Sequence, residues 1–296
     1  MEHLIQCPVC DCERFSVKHK IMDHFLSKEE FEIVQCQQCG FLFTNPRPEK
    51  SESFKYYQSD EYLSHSKNKT GWLNFAYDAI RSIALRKKFD LITKHKSGSK
   101  ILDIGCGTGE FLYLMKAKGW EAIGIEPAEH PREFAKTNFG LNVFDEDKLD
   151  EPVASGFDLI TLWHVLEHVP DLNQRISQIN RLLSDEGLLV VALPNVNSWD
   201  ATHYKNFWAA WDVPRHLYHF SKETFDMLMK KHNLKIISIH PMKFDAYYIS
   251  LLSEKYMYNR NRLFAAFFNG FRSNISAKRN RNNYSSLIYF IKKQCS

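Results

Sequence analysis

Four cysteines near the N-terminus have the spacing of a metal site. Cys7 and Cys10 form one Cys-x-x-Cys pair, and Cys36 and Cys39 form a second pair later in the first 39 residues. Two such pairs can close a tetrahedral zinc site, because each supplies two thiolates from one tight turn. So short a segment has little hydrophobic core of its own, so its fold needs a metal ion or a disulfide to stabilise it. The spacing predicts a structural zinc ion on all four thiolates, with buried or free cysteines and disulfides as the alternatives.

A glycine-rich segment in the middle of the chain has the character of a nucleotide-type site. It runs Asp-Ile-Gly-Cys-Gly-Thr-Gly over residues 103–109, at the expected turn from a strand to a helix. Glycines at such a turn let the backbone approach a ligand closely. Glu110 follows the third glycine, and an acid at a helix N-terminus would repel a pyrophosphate. The segment therefore predicts a nucleoside ligand without phosphates, although other Rossmann-type ligands use similar loops.

The second strand of this region is predicted to end at Glu126, which is followed by Pro127. A carboxylate at that position, 23 residues after Asp103, can accept hydrogen bonds from both hydroxyls of a ribose. Asp103 itself would face the cationic end of the ligand, directly or through water.

Beyond residue 98 the hydrophobic pattern alternates between short strands and helices, which is typical of a doubly wound, mainly parallel α/β sheet. Residues 245–282 interrupt this alternation before a last predicted strand at 285–291. An insertion of that length predicts helices of its own.

The glycine loop, the strand end at Glu126 and a later segment together resemble class I S-adenosylmethionine-dependent methyltransferases. The later segment is Phe-Asp-Leu-Ile at 157–160, which leads to Val-Leu-Glu-His-Val-Pro-Asp at 165–171. The resemblance spans residues 72–240 and is closest to the ubiquinone-type small-molecule branch. It implies an enzyme with a seven-stranded Rossmann-like methyltransferase sheet and S-adenosylmethionine as its cofactor.

The fold class that follows is α/β, with that sheet, a small N-terminal zinc ribbon and a helical insertion before the last strand. The expected divisions are a zinc-ribbon-like module at 1–48, a helical linker and cap at 49–97, and the methyltransferase domain at 98–296. Residues 245–282 form a lid-like insertion within that domain.

The resemblance assigns the cofactor to the ends of three strands. The methionine and ribose would lie against the glycine loop and the second strand end, and the methionyl chain against the fourth strand end. The adenine would meet Asp147 or a neighbour in the acidic loop 145–150. The implied cofactor-binding residues are Asp103, Gly105, Cys106, Gly107, Gly109, Glu126, Pro127, Asp147, Leu162 and Trp163.

Three histidines are candidates for the general base. Methyl transfer from a sulfonium is an in-line displacement, and the acceptor often has to lose a proton. His164 directly follows the fourth strand and shares a helical face with His168. His216 is a further candidate. A metal site that includes Glu167, and a structural role of His168 and Glu167 at the start of a helix, are the alternatives.

The loop after the fifth strand carries Trp199, Trp208 and Trp211. These rings are expected either to pack beneath the insertion or to wall an acceptor pocket. Arg215 could pair there with a phosphate or carboxylate of the substrate.

The charge of the chain is strongly uneven. Residues 1–240 hold 29 basic and 33 acidic side chains, whereas residues 241–296 hold ten basic and two acidic ones. The basic part contains an apolar, aromatic helical stretch. This pattern is typical of a membrane-surface element over 254–281, and equally of a lid over an anionic acceptor.

The main hypothesis is methyl transfer to a hydroxyl of a small-molecule or glycan-type acceptor, with anionic or lipid-linked acceptors to be tested first. The alternatives are an RNA methyltransferase that uses the basic C-terminal region, a sugar C-methyltransferase, and a non-catalytic scaffold. Residues 1–50 hold six basic and eight acidic side chains, which argues against a nucleic-acid partner. Reduced thiolates and the lack of a signal pattern predict a cytoplasmic protein, with peripheral membrane contact as an option. The oligomeric state stays open.

Overall fold

The computed structural model describes residues 1–57, 72–96, 98–150 and 156–294, with the backbone alone for 72–81. The predicted linker and cap at 49–97 lies partly outside these residues. The strands are β1 (Phe15–Met22), β2 (Glu30–Cys36), β3 (Leu42–Thr44), β4 (Lys100–Ile104), β5 (Glu121–Ile125), β6 (Asn142–Phe144), β7 (Phe157–Trp163), β8 (Leu183–Pro194), β9 (Tyr218–His219), β10 (Leu234–Pro241) and β11 (Ser286–Lys293).

The α-helices lie between these strands, as the alternating pattern predicts. They are α1 (Lys50–Ser53), α2 (Trp72–Thr93), α3 (Glu110–Ala117), α4 (Glu129–Phe139), α5 (Leu172–Leu182), α6 (Trp199–Tyr204), α7 (Lys222–Lys231), α8 (Asp245–Tyr258) and α9 (Leu263–Arg279). Within the described chain, no helix is both long enough and apolar enough to cross a bilayer.

Seven strands form the larger sheet, in the order β10-β11-β8-β7-β4-β5-β6. Strand β4 runs parallel to both β5 and β7, and β5 runs parallel to β6. The continuous apolar run at 188–193 is fully buried in β8, as expected for a strand covered on both faces. The predicted seven-stranded α/β sheet is therefore confirmed, and so is the helical insertion, which contributes α8 and α9 before β11.

A second, antiparallel sheet contains β1, β2, β3 and β9 in that order. Its first three strands come from the cysteine-rich N-terminal region. The fourth is the two-residue strand β9, in which Tyr218 and His219 lie opposite Phe43 and Leu42. This pairing joins positions more than 170 residues apart, so no local pattern in the sequence could predict it.

The chain forms two compact units. One comprises Met1–Ser59, His164–Asn173 and Ala192–Tyr289, and it contains the cysteines, the smaller sheet and the helices α8 and α9. The other comprises Asp60–Trp163, Gln174–Val191 and Phe290–Ser296, and it contains the glycine loop and the strands β4 to β7.

Candidate active site

The glycine loop joins the end of β4 to the start of α3. Gly107 and Gly109 both have a backbone φ in the left-handed region, at +56° and +86°. A Cβ on Gly109 would lie 2.7 Å from Leu141 Cδ1 and 3.0 Å from the Cβ of Ala135 on α4, so the left-handed backbone and the close neighbours both favour glycine there. Around the Cβ position of Gly107 the described chain has no heavy atom within 4 Å. Protein atoms therefore fill the space beside Gly109, whereas the space beside Gly107 can admit a ligand.

Asp103 is buried near the end of β4, with 2% of its surface exposed. Its carboxylate accepts a hydrogen bond from the hydroxyl of Thr161, the residue opposite it on β7. Burial raises the pKa of Asp103 to about 7, because a charge is poorly solvated there; Thr161 and the Lys88 ammonium oppose this rise. A buried carboxyl of this kind is ready to pair with a cationic ligand group.

Glu126 ties the end of β5 to the glycine loop. One carboxylate oxygen accepts from the Gly107 N–H at 2.8 Å, and the other accepts from the Ala128 N–H at 3.0 Å. Burial raises the pKa of Glu126, while these backbone donors favour its ionised form. Each oxygen keeps a further lone pair, so the carboxylate can still accept from two ribose hydroxyls.

The end of β7 presents Leu162, which is fully buried, and Trp163. The Trp163 ring contacts Phe111 edge-on, and the Lys88 ammonium lies 4.0 Å from its centroid. The indole Nε1 is buried, and nothing in the described residues accepts its hydrogen bond. A buried donor without an acceptor points to a missing polar group, which a bound ligand would supply.

Arg132 holds the region around the β5 end together, a role the sequence analysis missed. Its guanidinium donates to the carbonyls of Glu126 and Pro127 at 2.7 and 2.8 Å, and it pairs with Asp145 at 3.0 Å. Asp147 lies exposed in the single-turn helix Glu146–Leu149 that follows Asp145. The sequence could have indicated this role, because it places Arg132 on the first helix after the β5 end.

The thiol of Cys106 is partly buried, and burial raises its pKa.

His164 is held between two carboxylates. Its Nε2 is 2.9 Å from Asp245 Oδ2, and its Nδ1 is 3.3 Å from Glu167 Oε1. Burial by itself would lower the pKa of His164, but these hydrogen bonds raise it to about 10. The backbone of His164 is left-handed, with a φ of 57°, a conformation that is uncommon outside glycine and frequent at functional sites. Asp245 is 81 residues from His164 in the chain, so sequence spacing could not identify it as the partner of His164.

His216 is buried and His168 is half-buried, and both lie beside Glu167. The Nδ1 of His168 donates to the Arg215 carbonyl at 3.0 Å, and the Nδ1 of His216 donates to the Ala210 carbonyl at 2.9 Å. Burial lowers the pKa of His168 to about 4, so its ring is neutral at physiological pH. Ligand atoms of Glu167, His168 and His216 lie within 4.8 Å of one another, a spacing that a metal ion could bridge.

Of the two expectations for the tryptophan-rich loop, Trp208 and Trp211 follow the first, because both pack in a buried cluster. Trp208 and Trp211 are buried, and their indoles donate to the Asp200 carboxylate and the Lys205 carbonyl, each at 2.8 Å. The Arg215 guanidinium is also buried and pairs with carboxylates of the protein, so the expectation that it holds a substrate anion is not supported.

The two cysteine pairs come together in the N-terminal region. Cys7 Sγ lies 3.6 Å from Cys39 Sγ, and Cys10 Sγ lies 3.5 Å from Cys36 Sγ. All four sulfurs lie within 4.8 Å of one another. Zinc–sulfur bonds of about 2.3 Å in a tetrahedron place sulfurs about 3.8 Å apart, so the cluster suits zinc.

Replacing Gly107 by alanine is expected to weaken binding of S-adenosylhomocysteine by about tenfold, because a methyl group would fill the open side of the loop. Gly119→Ala is the matched control. Gly119 also has a left-handed φ, +90°, and open surroundings, so both variants should lose a similar stability, about 1 kcal/mol. Calorimetric titration checks the affinity. Equal affinities of the two variants would contradict a ligand at Gly107.

Binding of S-adenosylhomocysteine is also expected to strengthen with pH. The pKa of Asp103 is about 7, so its ionised fraction rises about tenfold between about pH 6 and about pH 8. We expect the ligand ammonium to pair with the ionised form, so affinity should rise by up to the same factor. In Asp103→Asn the affinity should be lower and nearly independent of pH. The same pH dependence in the asparagine variant would assign it to another group.

The family model described as a methyltransferase domain matches residues 75–239, more than half of the 296-residue chain. A ubiquinone biosynthesis O-methyltransferase from Bartonella bacilliformis is 35% identical over 105 residues, which cover 33% of this chain and 42% of the relative. One from Pseudomonas aeruginosa is 32% identical over 108 residues, which cover 34% and 47%. The chain thus spans less than half the length of these curated relatives.

Two solved structures share the fold at low sequence identity. A magnesium protoporphyrin IX methyltransferase from Synechocystis PCC 6803 with bound SAH has a TM-score of 0.52 and 12% identity, over 83% of this chain and all of that one. A SAM dependent methyltransferase from Archaeoglobus fulgidus has a TM-score of 0.50 and 20% identity, over 76% of this chain and all of that one. The chain therefore belongs to the methyltransferase domain family and has the fold of class I S-adenosylmethionine-dependent methyltransferases.

Proposed function

We propose that this methyltransferase acts on a hydroxyl oxygen of a small-molecule or glycan-type acceptor. The observation that carries the proposal is the hydrogen bond of 2.9 Å between His164 and Asp245. A hydroxyl has to lose its proton when its oxygen is methylated, and a histidine–carboxylate pair is a group suited to that task. The names of the curated relatives, which are O-methyltransferases, support an oxygen acceptor as well.

We propose that the set of His164, Asp245 and Glu167 receives the proton. The neutral imidazole of His164 accepts the hydroxyl proton, and the Asp245 and Glu167 carboxylates stabilise the imidazolium that forms, which is why they raise the pKa of His164 to about 10. His164 remains one-third exposed at its side chain, so an acceptor can reach it. His216 is buried and His168 is half-buried, and they remain weaker candidates for contact with the acceptor.

We propose that the glycine loop and the ends of β5 and β7 hold the cofactor. S-adenosylmethionine supplies an electrophilic methyl group when bound. Asp103 would pair with its ammonium, Glu126 would accept from the ribose hydroxyls, and the Trp163 indole N–H would donate to a polar atom. Gly105, Gly107 and Gly109 allow close approach of the backbone, and Asp147 would meet the adenine. Pro127, Cys106 and Leu162 would complete the walls by contact.

A screen for methyl incorporation tests the function. The full chain is incubated with ¹³C-methyl S-adenosylmethionine and a set of hydroxylated acceptors, including sugar phosphates, nucleotide-linked sugars and lipid-linked sugars. A methoxy product supports the proposal. A product methylated at carbon or nitrogen, or methylation of RNA alone, would replace it with one of the other hypotheses. Because the chain is an enzyme of this family, the scaffold hypothesis is not retained.

His164→Gln and Asp245→Asn test the proton acceptor. Each should lower kcat by about 100-fold or more and leave affinity for S-adenosylhomocysteine unchanged. His95→Gln is the matched control, since His95 is an exposed histidine outside the set. Unchanged kcat in both His164→Gln and Asp245→Asn would contradict their proposed role in accepting the proton.

We also propose that Cys7, Cys10, Cys36 and Cys39 bind a structural Zn²⁺ ion. Four thiolate ligands leave no open position for water, so the ion would stabilise the fold and take no part in the chemistry. Metal analysis of the full chain should give one zinc per molecule. Cys10→Ser should lose it, whereas Cys12→Ser should keep it, since Cys12 lies outside the cluster. Disulfide-linked peptides in place of bound metal would contradict the proposal.

A further inference from the structure

Helix α9 exposes large apolar side chains along one face. Phe264 is 95% exposed, Phe267 is 67% exposed and Phe268 is 57% exposed. Burying a phenylalanine side chain is favourable, so leaving several exposed to water forgoes much stabilisation. The side chains of this face, called the phenylalanine face below, are Leu263, Phe264, Phe267, Phe268, Phe271 and Ile275.

The opposite side of α9 is fixed by small and polar residues. A Cβ on Gly270 would lie 2.7 Å from the Tyr247 ring, so α8 and α9 pack in close contact. The Asn269 amide donates to Glu254 at 2.9 Å, and the Ser273 hydroxyl donates to Asp200 at 2.7 Å. Buried polar groups of this kind tolerate little rotation of the helix, because each needs its partner. The packing of α9 therefore directs the phenylalanine face outward.

Basic side chains surround the phenylalanine face. From residue 255 to residue 296 the chain has nine basic residues and no acidic one. Arg272 lies over the Phe268 ring at 5.7 Å from its centroid, on the face itself. Lys278 and Arg279 are exposed in the last turn of α9, and Arg260 is exposed before its first turn. An apolar face ringed by positive charge complements a surface that is apolar inside and anionic outside.

We propose that α9 docks on the surface of a bilayer that contains anionic phospholipid, with its axis in the membrane plane and the phenylalanines inserted between headgroups. Amphipathic helices of this composition bind such surfaces through buried apolar area and through attraction between basic residues and anionic lipid headgroups. A second copy of the chain fits less well. A two-fold interface would set the basic residues of one phenylalanine face against those of the other.

Docking goes beyond methyl transfer, and it places the enzyme where lipid-borne acceptors lie. The chemistry of the docked surface requires only lipid phosphates and acyl chains. The docking proposal can therefore be tested without knowing the methyl acceptor.

Sedimentation of the full chain with vesicles tests the docking. Vesicles of phosphatidylcholine with phosphatidylglycerol should bind at least about tenfold more protein than phosphatidylcholine alone, and added salt should weaken this binding. The double variant Phe264→Ser, Phe267→Ser should lose at least about tenfold in binding. Phe54→Ser is the matched control, because Phe54 is 60% exposed and lies outside the phenylalanine face.

Affinity for S-adenosylhomocysteine should be the same in all these variants. No sedimentation of the native chain, or equal sedimentation with both lipids, would overturn the proposal. A native chain that is a dimer, together with a double serine variant that is a monomer, would also overturn the proposal. That result would assign the phenylalanine face to a second copy of the chain. Methyl transfer measured without vesicles separates failure of docking from failure of the proposed function.

Discussion

Glu126→Gln is expected to weaken binding of S-adenosylhomocysteine by about 100-fold, or about 2.7 kcal/mol. In the native structure both carboxylate oxygens accept backbone N–H groups, and both have lone pairs left for the ribose. Glutamine has a single acceptor oxygen, and its amide would face one backbone N–H with another donor. Charge-assisted hydrogen bonds contribute about 1.5–3 kcal/mol each, so the loss of one or two accounts for the magnitude.

Glu129→Gln is the matched control, because Glu129 is an exposed glutamate three residues later, at the start of α4. It should bind the ligand as the native chain does. Thermal unfolding of both variants separates lost affinity from lost structure, since Glu126 also holds the Gly107 loop. Native affinity in a folded Glu126→Gln variant would remove this residue from the cofactor site.

Arg215→Ala is expected to lower the free energy of unfolding by about 3–5 kcal/mol. The Arg215 guanidinium donates to Asp23 at 2.8 Å, to Asp212 at 2.7 Å and to the Tyr56 carbonyl at 3.2 Å. Burial by itself would raise the pKa of Asp23, but the guanidinium and the backbone donors of the following turn hold that pKa near 2. Without Arg215 the Asp23 carboxylate would be left buried and without its cation.

Denaturant unfolding measures this loss, and two further variants define its cause. Adding Asp23→Asn to Arg215→Ala should recover part of the stability, because the uncompensated charge is removed. Lys230→Ala breaks the exposed pair with Asp226 and should cost less than about 1 kcal/mol. A loss in Arg215→Ala as small as that in Lys230→Ala would contradict a stabilising role for the buried pair.

Local patterns predicted that the glycine loop and Glu126 come together, and the Gly107 N–H does donate to the Glu126 carboxylate. Both follow strand ends, Asp103 lies at the end of β4, and parallel strands bring such ends to one edge of a sheet. The alternation of strands and helices likewise predicted the seven-stranded sheet, which the structure confirms. The cysteine pairs predicted a four-thiol cluster, and the sulfurs do come within 4.8 Å of one another.

Contacts across long stretches of chain were not predictable. The pairing of His164 with Asp245 crosses 81 residues, and the Arg215–Asp23 pair crosses 192. Nothing in the sequence spacing marks Asp23 as the partner of Arg215, so a substrate phosphate or carboxylate was a possible partner on sequence grounds.

The sequence by itself determined the enzyme family, the order of the elements and the residue types at each strand end. These follow from short-range periodicity and from turns, whose physics lies within a few residues. Only the tertiary structure decided the carboxylate partners of His164, the fourth strand of the smaller sheet and the outward direction of the phenylalanine face. Those depend on which distant groups satisfy each buried charge and hydrogen bond, and that is settled when the chain packs.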